Sequence, residues 1–160
     1  KENVPENLAE IRTPLGIPEV YKTGSDITVV GYGSTFNILI QAATMLEKLG
    51  ISCELIDVRT LLPFDRNHTI VESLKKTNRI AFVDEDVPGG ASAFMMQQVL
   101  EEQNGYMHLD SQPITICSKA HRPAYGTDGD YFSKPSMEDI VENIYDLFHE
   151  IDPQEFAPLI

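Results

Sequence analysis

Short runs of branched apolar residues alternate with longer segments of helical periodicity along this 160-residue chain. Residues Ile27–Gly31 have the sequence ITVVG, and such an unbroken apolar run is typical of a strand covered on both faces. Further runs of this kind occur at Ile51–Val58, Arg79–Asp84 and Pro113–Cys117, and a segment of helical spacing precedes each of them. Because strands that alternate with helices form parallel sheets with right-handed crossovers, the sequence predicts a three-layer α/β/α sandwich with a mostly parallel open sheet.

The helical segments have recognisable starts and stops. Ser34–Thr35 precede an apolar stripe that ends at Gly50, as expected of an N-cap and a C-terminal glycine. Asp65 is expected to cap the second helix, and Ser136 with Asp139 forms a capping-box pattern for the last one.

Proline and glycine define the limits of the predicted domain. Residues 1–25 are expected to be an incoming linker in which Glu19–Lys22 adds an antiparallel edge strand. The α/β domain is expected to span residues 26–150, and residues 151–160, with two prolines, to form an extended C-terminal tail.

The charge distribution is strongly uneven. The net charge is −13, of which the first 80 residues contribute −1 and the last 80 contribute −12. Nucleic acids and anionic membranes bind positive surfaces, so neither is an expected partner. No apolar run approaches the length of a membrane span, and no basic and apolar leader opens the sequence. The acidity favours a basic protein partner, although it is also explained by solubility alone.

The two cysteines, Cys53 and Cys117, lie in apolar segments without a metal-binding spacing. Buried thiols in a reducing compartment are the simplest interpretation, so we expect a cytoplasmic protein. The sequence starts at Lys1 without a methionine, which suggests a domain cut from a longer polypeptide.

The turn after the first predicted strand contains Gly31, Gly33 and Ser34. This turn leads into a helix, and the free backbone N–H groups at the start of a helix can bind an anion. Asp57 follows Gly33 by 24 residues, roughly where dinucleotide-binding domains keep a ribose-binding acid. Phe36 occupies the place of the third glycine of that motif. A nucleotide-binding turn and an ordinary βα turn therefore both remain open.

Acidic residues follow the third strand at Asp84, Glu85 and Asp86, with Gly89 and Gly90 behind them. Adjacent carboxylates can hold Mg²⁺, but no phosphate-binding loop accompanies them. A solvated acidic turn or a subunit contact is the simpler interpretation.

A long loop spans Ser118–Lys134 and contains His121 and Arg122, a basic pair in the acidic half. Loops of this length are often functional, so the pair is a candidate for anion recognition or for contact with a neighbouring domain. The sequence contains no nucleophile elbow. We therefore predict no catalytic, cofactor-binding or metal-ligating residue in this chain.

Four stretches together, DITVVGYGST, DVRTLLPFD, FVDEDVPGG and KPSMEDIVENIYDLF, resemble the C-terminal domain of the transketolase-like superfamily. Within it, the sequence is most similar to the beta subunit of the thiamine-diphosphate-dependent dehydrogenase component of 2-oxoacid dehydrogenase complexes. The loop AHRPAYGTDGDYFSKP is more similar to versions in which alpha and beta regions are fused.

The resemblance implies that the cofactor, thiamine diphosphate with Mg²⁺, lies between two other domains. In the family, the domain that binds the diphosphate contains the motif Gly-Asp-Gly. The stretch Asp128-Gly129-Asp130 lacks the first glycine of that motif, so the motif is absent here. Non-catalytic roles, in shaping the turns or in interfaces, are implied for the matching residues Gly31, Gly33, Ser34, Arg59, Glu85, Gly89 and Gly90.

The implied function is that of an assembly and docking domain. Its expected partners are the upstream pyrimidine and diphosphate domains, a homodimer mate, and a lipoyl acyltransferase core that docks through a basic binding module. The full enzyme would decarboxylate a 2-oxo acid and transfer the acyl group to lipoyl, and the fragment alone would be inactive. Alternatives are the third domain of a transketolase or deoxyxylulose-phosphate synthase, and a stand-alone nucleotide-binding domain. The sequence leaves the 2-oxo acid open.

Overall fold

The structure is a computed structural model that describes residues 4–122, 125–126 and 129–159, with the backbone alone for residues 130 and 131. Within these residues, one sheet contains five strands: β1 (Glu19–Lys22), β2 (Ile27–Gly31), β3 (Cys53–Asp57), β4 (Ile80–Val83) and β5 (Ile114–Ile116). Their order is β1-β3-β2-β4-β5. β1 is antiparallel to β3, and every other neighbouring pair is parallel. The predicted mostly parallel sheet with an antiparallel edge strand is confirmed.

Helices cover both faces of the sheet. Those in the described part of the chain are α1 (Thr35–Lys48), α2 (Thr69–Thr77), α3 (Ala91–Met96), α4 (Gly129–Ser133) and α5 (Met137–Ile151). α3 continues as a π-helical turn at Gln97–Glu102, and a 3₁₀ turn follows at Gly105–His108. α1 and α5 pack on one face, and α2 and α3 pack on the other. None of the helices described is long and apolar enough to span a membrane.

The central strand β2 supplies both halves of the core, and all of its residues are buried. Ile27 and Val29 join the apolar cluster of α1 and α5, whereas Val30 joins that of α2 and α3. Thr28 is also buried, and its Oγ1 lies 2.7 Å from the hydroxyls of both Ser73 and Thr77 on α2. These three hydroxyls satisfy one another, so the polar groups add no unpaired atom to the core.

Two of the predicted helix starts are confirmed. The Asp65 carboxylate accepts hydrogen bonds from the backbone N–H groups of Thr69, at 2.8 Å, and Ile70, at 3.0 Å. Ser136 and Asp139 form a reciprocal capping box at the start of α5. In both cases a side chain satisfies backbone donors that the first helical turn leaves free.

The C-terminal tail does not have the extended conformation expected for it. It turns back onto α5, where the Phe156 ring makes edge contacts with Tyr145, at 5.8 Å between ring centroids, and Phe148, at 5.3 Å. The Tyr145 hydroxyl donates a hydrogen bond to the Ala157 carbonyl at 2.9 Å. The prediction was wrong because Phe156 gains more by burial against two rings than the prolines gain from an extended backbone.

Candidate functional site

The parallel strands β3, β2, β4 and β5 all end at one edge of the sheet, which we call the carboxyl edge. Open α/β sheets bind their ligands at such an edge. The predicted site residues follow the strand ends in sheet order: Arg59 comes after β3, Gly33 after β2, Glu85 after β4 and His121 after β5. The sheet therefore places four sequence-distant groups along one edge.

The turn after β2 is shaped by its glycines. A Cβ on Gly31 would lie 2.5 Å from Leu39 Cδ1 of α1, and Gly33 has a φ of +63°, a left-handed conformation that favours glycine. The Ser34 side chain makes no capping bond to α1. Its hydroxyl instead donates to Glu85 Oε2 at 3.0 Å. The prediction that Ser34 caps the helix is therefore wrong, because its backbone is already helical, with φ −65° and ψ −31°, whereas a capping residue has a non-helical backbone.

The acidic turn after β4 contains one carboxylate that is completely buried. Asp84 has 0% of its surface exposed. It accepts hydrogen bonds from the Tyr32 hydroxyl at 2.8 Å, from the Ser92 N–H at 2.9 Å and from the Asp86 N–H at 3.1 Å. Burial raises the pKa of Tyr32, and the hydrogen bond to Asp84 adds to this effect. The interpretation of the turn as a solvated one is wrong for Asp84.

Glu85, the next residue, lies at the surface and connects two other segments. Its Oε2 accepts from Ser34 and from Lys134 Nζ at 3.1 Å. The hydrogen bond from Lys134, followed by that from Ser34, holds the pKa of Glu85 below its usual value. The Ser118 hydroxyl donates to the Glu85 carbonyl oxygen. Adjacent acidic residues therefore have opposite environments, since their side chains leave the backbone in different directions.

Gly89 and Gly90 return the chain from the acidic turn to α3. Gly89 has a φ of +94°, and a Cβ on Gly90 would lie 2.4 Å from Asp86 Oδ2. The Gly90 N–H donates to the Val87 carbonyl oxygen at 3.1 Å. This close turn brings the Ser92 N–H back to Asp84, so the two glycines have a local structural role.

Arg59, at the end of β3, pairs with two carboxylates of its own chain. Its guanidinium contacts Glu19 of β1, and its Nε lies 3.7 Å from Asp57 Oδ2. Its φ of 60° is unusual for a residue with a side chain. Arg59 therefore connects the edge strand to the rest of the sheet, and an interface role for it stays a prediction.

His121 and Arg122 are exposed beyond β5. The His121 Nδ1 lies 3.3 Å from the Lys119 carbonyl oxygen. The Arg122 guanidinium donates to the Tyr125 hydroxyl and lies 5.0 Å from the centroid of that ring. The pair does not converge on the acidic turn through any described contact, so its role in anion or domain recognition stays a prediction.

Sequence reasoning missed three residues that contact one another or the acidic turn at the carboxyl edge: Tyr32, Ser92 and Cys117. Ser92 connects Asp84 to Cys117, since its N–H donates to the carboxylate and its Oγ lies 3.2 Å from Cys117 Sγ. Tyr32 lies between two glycines in a turn. This position is the one local sign in the sequence that its hydroxyl bonds to another segment.

Two observations oppose the dinucleotide-binding alternative. Phe36, in the place of the third glycine, is buried and packs edge-on against Tyr21 at 5.5 Å between ring centroids. The Asp57 Oδ1 accepts the Arg59 N–H at 3.2 Å, and Arg59 also faces this carboxylate. The acid that would hold a ribose therefore already has partners within the chain.

The residues at this edge do not fit thiamine diphosphate with Mg²⁺. Among the described side chains, no group of three His, Cys, Asp or Glu residues is placed to hold a metal ion. Asp128 lies outside the described residues. The carboxylates of Asp84 and Glu85 instead accept hydrogen bonds from hydroxyl and backbone N–H groups of the chain itself. Such bonds hold the loops in place.

Comparison with known proteins places this sandwich in a family. The model of the family "Transketolase, C-terminal domain" matches residues 17–132. The chain therefore belongs to the transketolase C-terminal domain family. A solved structure, "Split gene transketolase, inactive beta4 tetramer", superimposes with a TM-score of 0.70 over 86% of this chain and 44% of that chain. Its sequence identity is 24%, so this likeness concerns the fold alone.

Within the family, the chain is similar to beta subunits of two dehydrogenases. It is 40% identical over 117 residues to "2-oxoisovalerate dehydrogenase subunit beta, mitochondrial" of Dictyostelium discoideum, covering 72% of this chain and 30% of that protein. It is 34% identical over 144 residues to "Pyruvate dehydrogenase E1 component subunit beta" of Rickettsia felis, covering 89% and 42%. The chain therefore spans less than half the length of these curated relatives.

Proposed function

We propose that this chain is the C-terminal assembly and docking domain of a thiamine-diphosphate-dependent 2-oxoacid dehydrogenase. Membership of the transketolase C-terminal domain family and the similarity to dehydrogenase beta subunits support this proposal. The whole enzyme decarboxylates a 2-oxo acid and transfers the acyl group to a lipoyl group. Domains or subunits outside this chain hold the cofactor, and a homodimer mate completes the assembly. The free thiols Cys53 and Cys117 suit a reducing cytoplasm.

The proposal that other domains hold the cofactor can be tested directly. The 160-residue chain alone is expected to show neither decarboxylase activity nor thiamine diphosphate binding. Titration calorimetry with thiamine diphosphate and Mg²⁺ checks this expectation. Binding in the micromolar range would contradict the proposed division of labour between this domain and the others.

The observation that carries the docking role is a row of acidic side chains along α5. Glu138, Glu142, Asp146 and Glu150 recur every four residues, and all are exposed. Residues at this spacing lie near one another along one side of a helix. None of the four has an ion pair with a described residue. We call this row the α5 acidic ridge. Its negative charge can attract a basic partner.

An apolar groove lies beside the ridge, between α1 and α5. Its walls include Met45 from α1, Leu49 directly after α1, Met137 and Val141 from α5, and Leu159 from the tail. Glu138 and Glu142 of the ridge line the same groove. Apolar contacts flanked by charges are the usual composition of a protein interface. The fitting occupant is a small module with basic side chains around an apolar centre, as proposed for the acyltransferase core.

The docking test measures the affinity of a basic peripheral subunit-binding module for the 160-residue chain at low and high salt. Binding is expected to weaken strongly as salt rises, because exposed charges are screened. The double variant Glu138→Gln/Glu142→Gln is expected to lose about fivefold in affinity at low salt, as for two exposed ion pairs.

A matched control is available on the other face of the sheet. Glu101→Gln/Glu102→Gln removes the same two charges from exposed positions after α3. It should leave the affinity nearly unchanged. If both double variants weaken binding equally, net charge alone explains the attraction. If salt has no effect, the electrostatic docking proposal is wrong.

A further inference from the structure

A separate cavity of about 200 Å³ lies at the end of β5, next to the start of α5. This volume is large enough for several water molecules or for a ligand of a few atoms. The wall consists mainly of polar side chains from β5, the segment after it, the end of α4 and α5, among them Cys117, Lys119, Ser133, Lys134 and Asp139. It does not include the α5 acidic ridge, so what it binds is independent of the docking role.

Ser133, one of the wall residues, has an unsatisfied hydroxyl. The residue is only 7% exposed. Its Oγ is buried and has no hydrogen-bond partner among the described residues. Nearly all buried polar atoms in folded proteins are hydrogen-bonded, so each exception needs an explanation. A polar ligand in the cavity would supply the missing partner.

The cavity also collects positive charge in a strongly negative region. The last 80 residues contain three basic side chains of lysine or arginine, and two of them, Lys119 and Lys134, line this wall. Lys134 also donates to Glu85 at 3.1 Å. The one wall carboxylate, Asp139, accepts from the Ser136 N–H and hydroxyl, both at 2.8 Å. The Asp139 carboxylate is therefore bonded within the capping box of α5, while Lys119 is exposed.

We propose that this cavity binds a small oxyanion, a carboxylate or a phosphate attached to a body of a few atoms. Lys119 and Lys134 supply the charge, and the Ser133 hydroxyl donates a hydrogen bond to the anion. Charge-assisted hydrogen bonds of this kind are the strong ones.

Cys117 provides a built-in reporter of occupancy. It is half-buried and lines the cavity, whereas Cys53, the other cysteine of the chain, is buried with 0% exposure. A neutral alkylating reagent such as iodoacetamide should therefore modify Cys117 first. An anion in the cavity would block the reagent without a charge effect on the reagent itself.

The experiment follows the rate of Cys117 alkylation in the 160-residue chain with inorganic phosphate, pyruvate or chloride at equal ionic strength. Protection that saturates in the millimolar range with phosphate or pyruvate, and not with chloride, is the expected result. Comparison of the two anions decides whether the site takes phosphates or carboxylates. No protection by either anion would overturn the proposal.

Three variants make the result specific to this wall. Lys119→Ala is expected to weaken protection about tenfold, the value of one charge-assisted bond. Ser133→Ala should also weaken protection, while it makes the anion-free chain more resistant to unfolding because an unpaired hydroxyl is removed. Lys48→Ala, at an exposed position on α1, is the control and should change nothing. Equal weakening in the control, or full protection in Lys119→Ala and Ser133→Ala, would show that the anion does not bind here.

Discussion

Two buried aspartates at the carboxyl edge, Asp65 and Asp84, solve the same problem in different ways. Both have 0% exposure, both follow a strand, and both accept backbone N–H groups at the start of a helix. The Asp65 carboxylate accepts from Thr69 and Ile70 of the helix that follows it, and no other segment that the structure describes donates to this carboxylate. Asp84 also accepts the Tyr32 hydroxyl from the turn after β2.

This difference separates a local cap from a connection between loops. The bonds to the Asp65 carboxylate stay within six residues of sequence, so this carboxylate fixes the start of α2 alone. The bond from Tyr32 to Asp84 spans 52 residues, and the bond from Ser34 to Glu85 beside it spans 51. These contacts fix the β2 turn against the β4 turn. The same side-chain chemistry therefore stabilises an element in one place and an arrangement of elements in the other.

The largest expected effect belongs to Asp84→Ala. Two backbone N–H groups and one hydroxyl would lose their acceptor inside the protein, which should cost about 3 kcal/mol of unfolding free energy. Urea unfolding measures the loss, and Asp84→Asn, which keeps one acceptor oxygen, should lose less. An effect below that of an exposed control such as Asp146→Ala would contradict the importance of this carboxylate.

Asp65→Ala is expected to cost somewhat less, about 2 kcal/mol, as for the loss of a strong helix cap. Its effect should also be local. Amide hydrogen exchange should accelerate at Thr69 and Ile70, and the backbone NMR signals of Gly33 should stay unchanged. The Asp84→Ala variant should shift the Gly33 signals. If both variants disturb Gly33 equally, the contrast between a local cap and a connection between loops is wrong.

Tyr32→Phe removes the hydrogen bond between the turn after β2 and Asp84. It keeps the buried Asp84 carboxylate and the backbone N–H groups that bond to it. The expected loss at pH 8 is about 1 kcal/mol, since one buried hydrogen bond is lost. The folded protein raises the pKa of Tyr32, whereas tyrosine in an unfolded chain ionises near pH 10. The stabilisation is therefore complete below about pH 10 and is lost as the pH rises further.

The measurement for Tyr32 is urea unfolding of both proteins between pH 8 and pH 11. The difference in stability between them should shrink as the pH rises. Tyr106→Phe is the control, because Tyr106 is 57% exposed, and it should change little. A constant difference across the pH range would mean that the Tyr32 hydroxyl does not interact with Asp84.

Ser34→Ala tests the exposed member of the connection and has the smallest expected effect, about 0.5 kcal/mol. The bonds from Lys134 and Ser34 lower the pKa of Glu85, so their contribution is present at neutral pH and is lost as the pH falls below the ordinary glutamate range. Unfolding at low and high salt measures it, and high salt should reduce the part that comes from charge. A loss as large as that of Tyr32→Phe would mean that exposed and buried contacts contribute equally.

Local patterns predicted Asp65 and failed for Asp84 for a clear physical reason. The helical stripe begins five residues after Asp65, so the cap and its donors appear in one short window. The donor of Asp84 on α3 is Ser92, eight residues away across two glycines, and its other side-chain partner is Tyr32. Neither partner is visible in the sequence DED, which has the composition of a solvated turn.

The cavity at β5 also brings together residues that are distant in sequence. Cys117, Ser133 and Asp139 are separated in sequence, and only the packing of α5 against the sheet brings them to one wall. Sequence reasoning placed Cys117 in a buried strand, whereas it lies after β5 and is half-buried. The tail shows a similar limit, since the proline pattern concealed the burial of Phe156.

The sequence by itself determined the sandwich and the alternation of strands and helices, because periodic burial and turn residues act over a few neighbours. It also indicated the family, through the resemblance of four short stretches. The tertiary structure alone decided which acidic residues are buried. β2 lies between β3 and β4 in the sheet, and this order brings Tyr32 to Asp84 and Ser34 to Glu85. A carboxylate is stable inside a protein only where donors converge on it, and here those donors come from strands and turns that only the folded sheet makes neighbours.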